Sequence, residues 1–263
     1  MKPLFFKTGL GKNPLIKLLL KAIVYARNPI KVEGLKLYLP LSDGWDYINR
    51  PKFFHTQILK ENLKEGDVVI DIGACIGFHT IIEAKKVGNK GKIIAFEADE
   101  RNCGFLEKNI RINGFNNIDI INMAVSDKKG EEEFFVSFGS KYNQLGRNET
   151  TQNFIKIKTA FLDQLEIKPN FIKIDAMGSE AKIIRGAKKI LADSKNLKIM
   201  IQYSPGKIKQ CGDEPLEPLT TLKNSGFKIL EINEEEKKLI EIKDIEKFSK
   251  EHITREIFCC KPG

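Results

Sequence analysis

The stretch VVIDIGACIGFHT, residues 68–80, runs from an apolar segment into an aspartate and then into two glycines four residues apart. A short apolar run is typical of a buried parallel strand, and glycines directly after it allow a sharp turn and a close approach of a ligand to the backbone. The free N–H groups of a helix that begins at such a turn favour an anionic group. The stretch therefore predicts a strand, a turn and a helix that bind a nucleotide-like ligand.

The sequence after residue 66 continues this alternation. Helices are predicted at FHTIIEAKKVG, ERNCGFLEKNIRINGF, EAKIIRGAKKILADS and EPLTTLKNSG. Strands are predicted between them at GKIIAFEAD, IDIINMAVS, NFIKIDAMGSE and LKIMIQYS. Alternation of this kind requires right-handed crossovers, so it predicts an α/β fold with a parallel sheet and helices on both faces. The final strands, FKILEIN and TREIFCCKP, are predicted to pair antiparallel.

Two segments interrupt the alternation. EEEFFVSFG and NFIKIKTAF read as alternating strands joined by a polar loop, which predicts a β-hairpin insertion whose loop either covers a site or is disordered. The charged segment EINEEEKKLIEIKDIEKFSKE, residues 231–251, keeps apolar spacing and predicts a helix with a solvated face.

The positive charge of the chain is concentrated near its start. Residues 1–60 hold eleven Lys/Arg and three Asp/Glu, and therefore eight of the nine net positive charges of this 263-residue protein. We interpret them as a basic N-terminal extension, with a short amphipathic helix at PLIKLLLKAIVYA and a hairpin at IKVEGLKLYLP, and we assign residues 61–263 to the main domain. The helix either packs on that domain or makes peripheral membrane contact through residues 14–27.

Composition excludes several other classes of protein. No apolar run is long enough to cross a bilayer, and five cysteines without a CxxC pair predict neither a disulfide framework nor a zinc site, so no metal is expected. A cytoplasmic protein, with membrane association through the first helix as an option, is the resulting expectation.

The glycine turn predicts S-adenosylmethionine as the cofactor. Cys75 and Phe78 stand where a dinucleotide fingerprint has its second and third glycines, which argues against NAD. An acid before the turn, Asp71, suits the ammonium of S-adenosylmethionine, and Glu97 at the end of the next strand suits the ribose hydroxyls. The cofactor-binding residues predicted from the sequence are Asp71, Gly73, Ala74, Cys75, Gly77, Glu97, Ala98, Met123 and Ala124.

Met123 and Ala124 belong to this set because they end the third strand, where the adenine edge would meet backbone groups. Asp71 has an alternative role as a helix-capping acid.

Five ordered blocks of the sequence resemble the FkbM-type methyltransferases, a family of the class I fold. They are DVVIDIGACIGFHTIIEAKK, IIAFEADERNCGFLEKNIRINGF, IINMAVSDKKGEEEFFVS, FLDQL and NFIKIDAMGSEAKIIRGAKKIL. The resemblance implies a Rossmann-like sheet in the order 3-2-1-4-5-7-6 with strand 7 antiparallel, and O-methylation of a hydroxyl on a sugar, glycolipid or secondary metabolite.

The chain departs from the family pattern at four positions. Met177 stands where the family usually has a second acid, Cys75 where Asn is common, Ala98 in place of a frequent Pro, and Gln202 where Glu often ends strand five. The change at Met177 removes a polar group expected at the mouth of the site.

Asp175 and His79 are the predicted catalytic residues. Asp175 lies at the carboxyl end of the fourth strand, beside the cofactor crevice, where it would orient the acceptor or remove its proton; its alternatives are a helix cap and an ion pair with Lys173. His79 is a base candidate just past the turn, with a packed helix position as its alternative.

Three functions follow from these features. The leading one is an O-methyltransferase acting on a small-molecule or glycan acceptor. A catalytically silent cofactor-binding protein is the second, motivated by Met177. An RNA methyltransferase drawn by the basic extension is the third, and the absence of interleaved aromatic residues and of an NPPY-type tetrapeptide argues against nucleic acid.

Overall fold

The computed structural model describes residues 29–40, 53–135, 144–145 and 154–262. An eight-stranded sheet forms the centre of this part of the chain. Its strands are β3 (Val68–Ile72), β4 (Lys92–Phe96), β5 (Ile118–Ile121), β10 (Phe171–Ile174), β11 (Lys198–Tyr203), β12 (Lys228–Asn233), β13 (Lys238–Glu241) and β14 (Arg255–Cys260).

The order across the sheet is β13-β12-β14-β11-β10-β3-β4-β5. The five strands from β5 to β11 run parallel, whereas β14 is antiparallel to both of its neighbours, β11 and β12. The predicted α/β class is therefore confirmed. Seven strands follow one another in the order that the resemblance implies, and β13 adds an eighth at the edge that the sequence analysis did not predict.

Helices cover both faces of the sheet. They are α1 (Phe54–Asn62), α2 (Phe78–Val87), α3 (Glu100–Asn113), α4 (Glu180–Arg185), α5 (Lys188–Asp193), α6 (Pro205–Gln210), α7 (Leu216–Asn224) and α8 (Ile245–Ser249). Alternate strand residues belong to different cores: Ile70 and Ile172 pack with α4 and α7, whereas Val69 and Phe171 pack with α1 and α2. Each such side chain contributes about 1.5–3 kcal/mol by leaving water.

The predicted helix over EAKIIRGAKKILADS is in fact two short helices, α4 and α5. The break falls at Gly186, where a Cβ would lie 2.3 Å from the backbone oxygen of Ser126. Close packing of another segment against the helix therefore outweighs the helical pattern that the sequence shows.

The helix predicted for residues 231–251 was wrong. Strand β12 continues to Asn233, a turn follows, and β13 returns antiparallel to β12 before the single turn of α8. The side-chain oxygen of Asn233 accepts the N–H groups of Glu235 and Glu236, which fixes the turn, and Lys237 takes a positive φ of 48°. Local capping by Asn233 favours a hairpin over a helix here.

The predicted insertion forms a second sheet in the order β6-β9-β7-β8. Its strands are β6 (Ala124–Val125), β7 (Gly130–Phe135), β8 (Gln144–Leu145) and β9 (Phe154–Ala160). Strands β7 and β9 pair antiparallel, as expected for the hairpin, while β6 pairs parallel to β9. The predicted third strand, IDIINMAVS, is thus divided between two sheets, and most of the polar loop lies outside the described residues.

The predicted N-terminal hairpin is confirmed as β1 (Ile30–Val32) paired antiparallel with β2 (Leu35–Leu37). Leu35 and Leu37 share a core cluster with Ile76 and Phe78 of the main domain. The predicted boundary at residue 60 falls within α1, so the described part of the basic extension is continuous with the domain. The first predicted helix lies outside the described residues, and no helix among those described is long and apolar enough to span a membrane.

Both glycines of the turn after β3 adopt left-handed conformations. Gly73 has φ 76° and Gly77, which precedes α2, has φ 89°. A Cβ at Gly73 would lie 2.0 Å from the backbone oxygen of Asp175, and one at Gly77 would lie 2.5 Å from the side chain of Leu106. We expected these glycines to make room for a ligand; the structure shows that they make room for neighbouring protein segments.

Gly73 is constrained by its left-handed backbone and by its close approach to Asp175, and three Gly→Ala variants separate these two effects. Gly73→Ala should lower the free energy of unfolding by about 2–5 kcal/mol, because a left-handed backbone and an overlap with Asp175 both oppose the new methyl group. Gly66→Ala, with φ 87° and nothing within 4 Å of its Cβ, should lose only the backbone part of about 1–2 kcal/mol. Gly104→Ala, in open space within α3, should gain about 0.5–1 kcal/mol.

Urea denaturation of the three variants measures these differences. Equal losses at Gly66 and Gly73 would contradict the packing explanation.

Candidate functional site

The candidate site lies at the carboxyl ends of β3, β4 and β10, where the glycine turn meets the loop after β10. The N–H groups of Gly73 and Ala74 donate to the backbone oxygen of Phe96, and the N–H of Asp175 donates to the backbone oxygen of Ile72. These bonds hold the three strand ends at one edge of the sheet, which is where open α/β sheets bind ligands.

Asp71 lies inside the protein and contacts other protein groups. Its carboxylate is fully buried, accepts the Thr80 hydroxyl at 2.6 Å and lies 3.2 Å from the Lys173 ammonium. We expected Asp71 to hold the cofactor ammonium; in the structure its carboxylate is fully buried and contacts Thr80 and Lys173. Asp71 thereby holds the Lys173 ammonium in place.

Lys173 connects Asp71 with Asp175. Its ammonium lies 3.8 Å from the Asp175 carboxylate and is almost fully buried. Burial lowers the pKa of Lys173, but the carboxylates of Asp71, Asp175 and Glu83 raise it more, so Lys173 stays charged. The ion pair that we named as an alternative for Asp175 is present, although Lys173 is closer to Asp71.

Glu83 of α2 is fully buried near this pair, and neither of its carboxylate oxygens has a hydrogen-bond partner among the described residues. Burial first, and then the nearby Asp71 carboxylate, raise the pKa of Glu83 well above its ordinary value. The Lys173 ammonium acts in the opposite direction and lowers the pKa of Glu83.

Glu97 ends β4 at the edge of the crevice. Its carboxylate accepts the N–H of Cys75 at 2.7 Å, the N–H of Asp99 at 2.9 Å and the side-chain amide of Asn102 at 3.2 Å. A carboxylate has about four acceptor positions, so three donors leave about one for a ligand. We expected Glu97 to accept hydrogen bonds from two ribose hydroxyls. One hydroxyl fits the remaining position, and a second hydroxyl could bind only if one of the three protein donors moved away.

Burial outweighs these hydrogen bonds and raises the pKa of Glu97 to about 7. Cys75, whose N–H contacts Glu97, has a left-handed φ of 52°. Asn tolerates this conformation better than most residues, which explains why Asn is common at this position in the family.

Ala98, Met123 and Ala124 line the edge beyond Glu97. Ala98 packs against the cluster that contains Ala124, and Met123 is half-buried beside the larger core. Sequence reasoning missed Asn122, whose side-chain amide donates to the backbone oxygens of Glu97 and Ala98 at 2.9 and 3.2 Å. Asn122 thereby ties the third strand to the Glu97 loop.

A cavity of about 280 Å³ lies next to these strand ends, and both predicted catalytic residues line it. Asp175 is partly exposed there, while His79 is buried and its Nε2 lies 3.5 Å from the Thr56 hydroxyl. Sequence reasoning missed the other polar side chains of the wall, because they come from α1, from the distant strands β11 and β14, and from the turn after β12. These are His55, Gln202, Glu234 and Glu256.

Met177 is half-buried and is not among the residues that line this cavity. Asp175, Glu234 and Glu256 already supply carboxylates there. The missing family acid therefore does not leave the described cavity without acidic groups.

A parallel sheet with antiparallel strands at one edge, a glycine turn after β3 and an acid at the end of β4 are features of the class I methyltransferases. More than half of the chain, residues 71–229, matches the model of the methyltransferase FkbM domain. The chain belongs to the FkbM methyltransferase family.

Several known proteins are similar to this chain. An uncharacterised protein of Methanocaldococcus jannaschii is 36% identical over 91 residues, which are 33% of each chain. The structure of an FkbM methyltransferase from Methylobacillus flagellatus is 14% identical with a TM-score of 0.46, covering 93% of this chain and 59% of that one. The structure of an S-adenosylmethionine-dependent O-methyltransferase from Thermotoga maritima is 17% identical with a TM-score of 0.47, and the match covers 90% of this chain and 78% of that one. The chain thus spans a third of the curated relative it matches.

S-adenosylmethionine is the cofactor of this family. The residues at the crevice fit it: Glu97 supplies an acceptor-only carboxylate suited to ribose hydroxyls, and Ala98 and Ala124 are small enough to border a flat ring. Asp71 is fully buried and contacts Thr80 and Lys173.

Asp71→Asn should lower the free energy of unfolding by about 3–5 kcal/mol, because it leaves the buried Lys173 ammonium without its nearest countercharge. Asp119→Asn is the matched control. It breaks an exposed ion pair with Lys92 in the same sheet and should cost about 0–1 kcal/mol. Urea denaturation compares the two variants, and a similar loss in both would contradict the proposed importance of burial.

Cofactor affinity should depend on the ionisation of Glu97. A ribose hydroxyl donates to the charged carboxylate, so binding lowers the pKa of Glu97 from about 7 and releases a proton. Affinity for S-adenosylhomocysteine should therefore fall about tenfold per pH unit on acidification below this pKa and level off above it. Calorimetry in buffers of different ionisation enthalpy measures the released proton.

Glu97→Gln is the control for that experiment. It should bind more weakly and lose this pH dependence. Retention of the full pH dependence by the variant would assign the titration to another group.

Proposed function

We propose that this chain transfers the methyl group of S-adenosylmethionine to a hydroxyl of a sugar, glycolipid or secondary metabolite. One observation carries the proposal: Asp175 belongs both to the strand edge that meets the glycine turn and to the wall of the cavity. An acceptor in that cavity would lie beside the cofactor crevice. Small-molecule sites of about 300 Å³ and above are common, and the cavity is close to that size.

The wall of the cavity supports a hydroxyl acceptor. The carboxylates of Asp175, Glu234 and Glu256 accept hydrogen bonds from hydroxyl groups, and the ammonium of Lys173 is already paired with Asp71 and Asp175. Such a wall favours neutral, hydroxyl-rich acceptors over phosphates or carboxylates, which would meet like charges. Strand β10 ends in IDAM rather than an NPPY-type tetrapeptide, which argues against base amines.

The cofactor supplies an electrophilic methyl group when it is bound. The protein then has to align the acceptor oxygen with that methyl group and exclude water, and most of the rate enhancement comes from this alignment. We assign alignment to Asp175, which Lys173 fixes in position from below. His79 forms part of the wall and remains a second candidate for proton removal.

Methyl transfer from labelled S-adenosylmethionine to a panel of acceptors tests this function. The panel contains methyl α-D-glucopyranoside, bacterial glycolipid extract, a phenol, a carboxylic acid and RNA. We expect label in the sugar-containing fractions as a methyl ether, which survives alkaline treatment, whereas a methyl ester does not. Asp175→Asn should lower kcat about 100-fold with little change in cofactor affinity.

Asp193→Asn is the matched control, since Asp193 is an exposed residue of α5, and it should keep full activity. Cofactor binding without transfer to any acceptor would support the silent cofactor-binding protein, and label in RNA alone would support the RNA methyltransferase.

A further inference from the structure

We infer that His55, oriented by Glu234, is the side chain that removes the proton from the acceptor hydroxyl. This inference rests on the proposed O-methylation and adds a residue pair that the glycine turn and the strand ends do not contain. His55 lies on α1, and Glu234 lies in the turn after β12, 179 residues further along the chain.

The two side chains form a histidine–carboxylate pair at the cavity wall. Nδ1 of His55 lies 2.6 Å from Oε1 of Glu234, and both residues line the cavity. Glu234 also accepts the backbone N–H groups of Phe54 and His55, at 2.7 and 3.0 Å. One carboxylate thus caps the first turn of α1 and fixes the imidazole ring that this turn carries.

The ionisation of Glu234 decides which ring nitrogen of His55 carries the proton. Burial raises the pKa of Glu234, but the hydrogen bonds from His55 and Phe54 outweigh it and lower the pKa to about 2. A charged carboxylate only accepts hydrogen bonds, so Nδ1 must be the donor. In the neutral ring Nε2 then has a free lone pair, which is the state that a general base requires.

His55 suits this role better than the two residues predicted from the sequence. Nε2 of His79 lies 3.5 Å from the Thr56 hydroxyl, whereas His55 contacts a carboxylate, which stabilises an imidazolium more than a hydroxyl does. Asp175 is held in an ion pair with Lys173, which suits it to orient a hydroxyl. A base whose charged form is stabilised by a third group is the arrangement of nucleophile-activating triads.

Charged and titratable groups face His55 from every side of the cavity. His79 of α2 lies against it with 5.7 Å between the ring centroids, and Glu256 of β14, Lys173 of β10 and Asp175 just after β10 also line the wall. Burial raises the pKa of Glu256, and the charge of His55 opposes that shift. A proton arriving on His55 therefore has the Glu234 carboxylate, 2.6 Å from Nδ1, to offset its charge.

The acceptor oxygen forms a bond to the methyl carbon while the carbon–sulfur bond breaks and leaves its electron pair on sulfur. The hydroxyl proton passes to Nε2 of His55, the imidazolium is stabilised by Glu234, and the proton is later lost to water.

The chain contains only three histidines, His55, His79 and His252, so each can be replaced in turn. With the sugar acceptor methyl α-D-glucopyranoside, His55→Asn should lower kcat about 10²–10⁴-fold and leave KM nearly unchanged. His79→Asn should lose less than tenfold. His252→Asn is the matched control, because His252 is exposed and outside the cavity, and it should behave as the unmodified protein.

Nitrogen-15 NMR of the histidine rings tests the pair without an acceptor. The three variants assign the spectrum, and His55 should carry its proton on Nδ1 when the ring is neutral. Glu234→Gln should populate both tautomers and lower kcat, and thermal unfolding of this variant measures the separate loss of the α1 cap. A neutral His55 protonated on Nε2 would overturn the inference.

The two proposals fail in different ways. Transfer by the unmodified protein that persists in His55→Asn would overturn the base and leave O-methylation intact. Absence of transfer to every hydroxyl acceptor, with cofactor still bound, would overturn O-methylation and the base together.

Discussion

The buried ion pair between Asp71 and Lys173 is the interaction on which the arrangement of the site depends. Parallel pairing of β3 with β10 puts the two residues directly opposite each other, and the surrounding core leaves water little access to either. A charge pair in such a place is costly to break, because removing one partner strands the other. Lys173 is thereby fixed under Asp175, and Asp175 is fixed beside the glycine turn. Stability and the geometry of the acceptor cavity thus rest on the same contact.

Much of the fold could be predicted from the sequence, because strands and helices of the main domain carry clear local patterns. The turn at Gly73, the start of α2 at Gly77 and the end of α3 at Gly114 each follow from residues a few positions apart. Predictions failed where distant packing decided the outcome. Gly186 breaks a helix because Ser126 lies against it, and the turn at Asn233 replaces a helix that apolar spacing favoured.

The site shows the same division between local and distant information. Glu97 and Asp175 were placed correctly at strand ends, since a strand end can be read from a few neighbouring residues. The contacts of Asp71 could not be predicted, because its partner Lys173 is 102 residues away. The pairing of His55 with Glu234 left no local signal either: a lone histidine and one acid within an acidic run look unremarkable until β12 brings them together.

Glu234 serves two purposes, and this has a consequence for redesign. The Glu234 carboxylate accepts the N–H groups at the start of α1 and also fixes the His55 ring. A substitution of Glu234 would therefore lower both stability and activity, and the two effects would be hard to separate. Phe53, by contrast, lines the cavity, is 41% exposed and contacts the His55 ring in a tilted arrangement with 5.4 Å between ring centroids. A library that varies this position could broaden the range of accepted molecules while the proton-handling pair stays undisturbed.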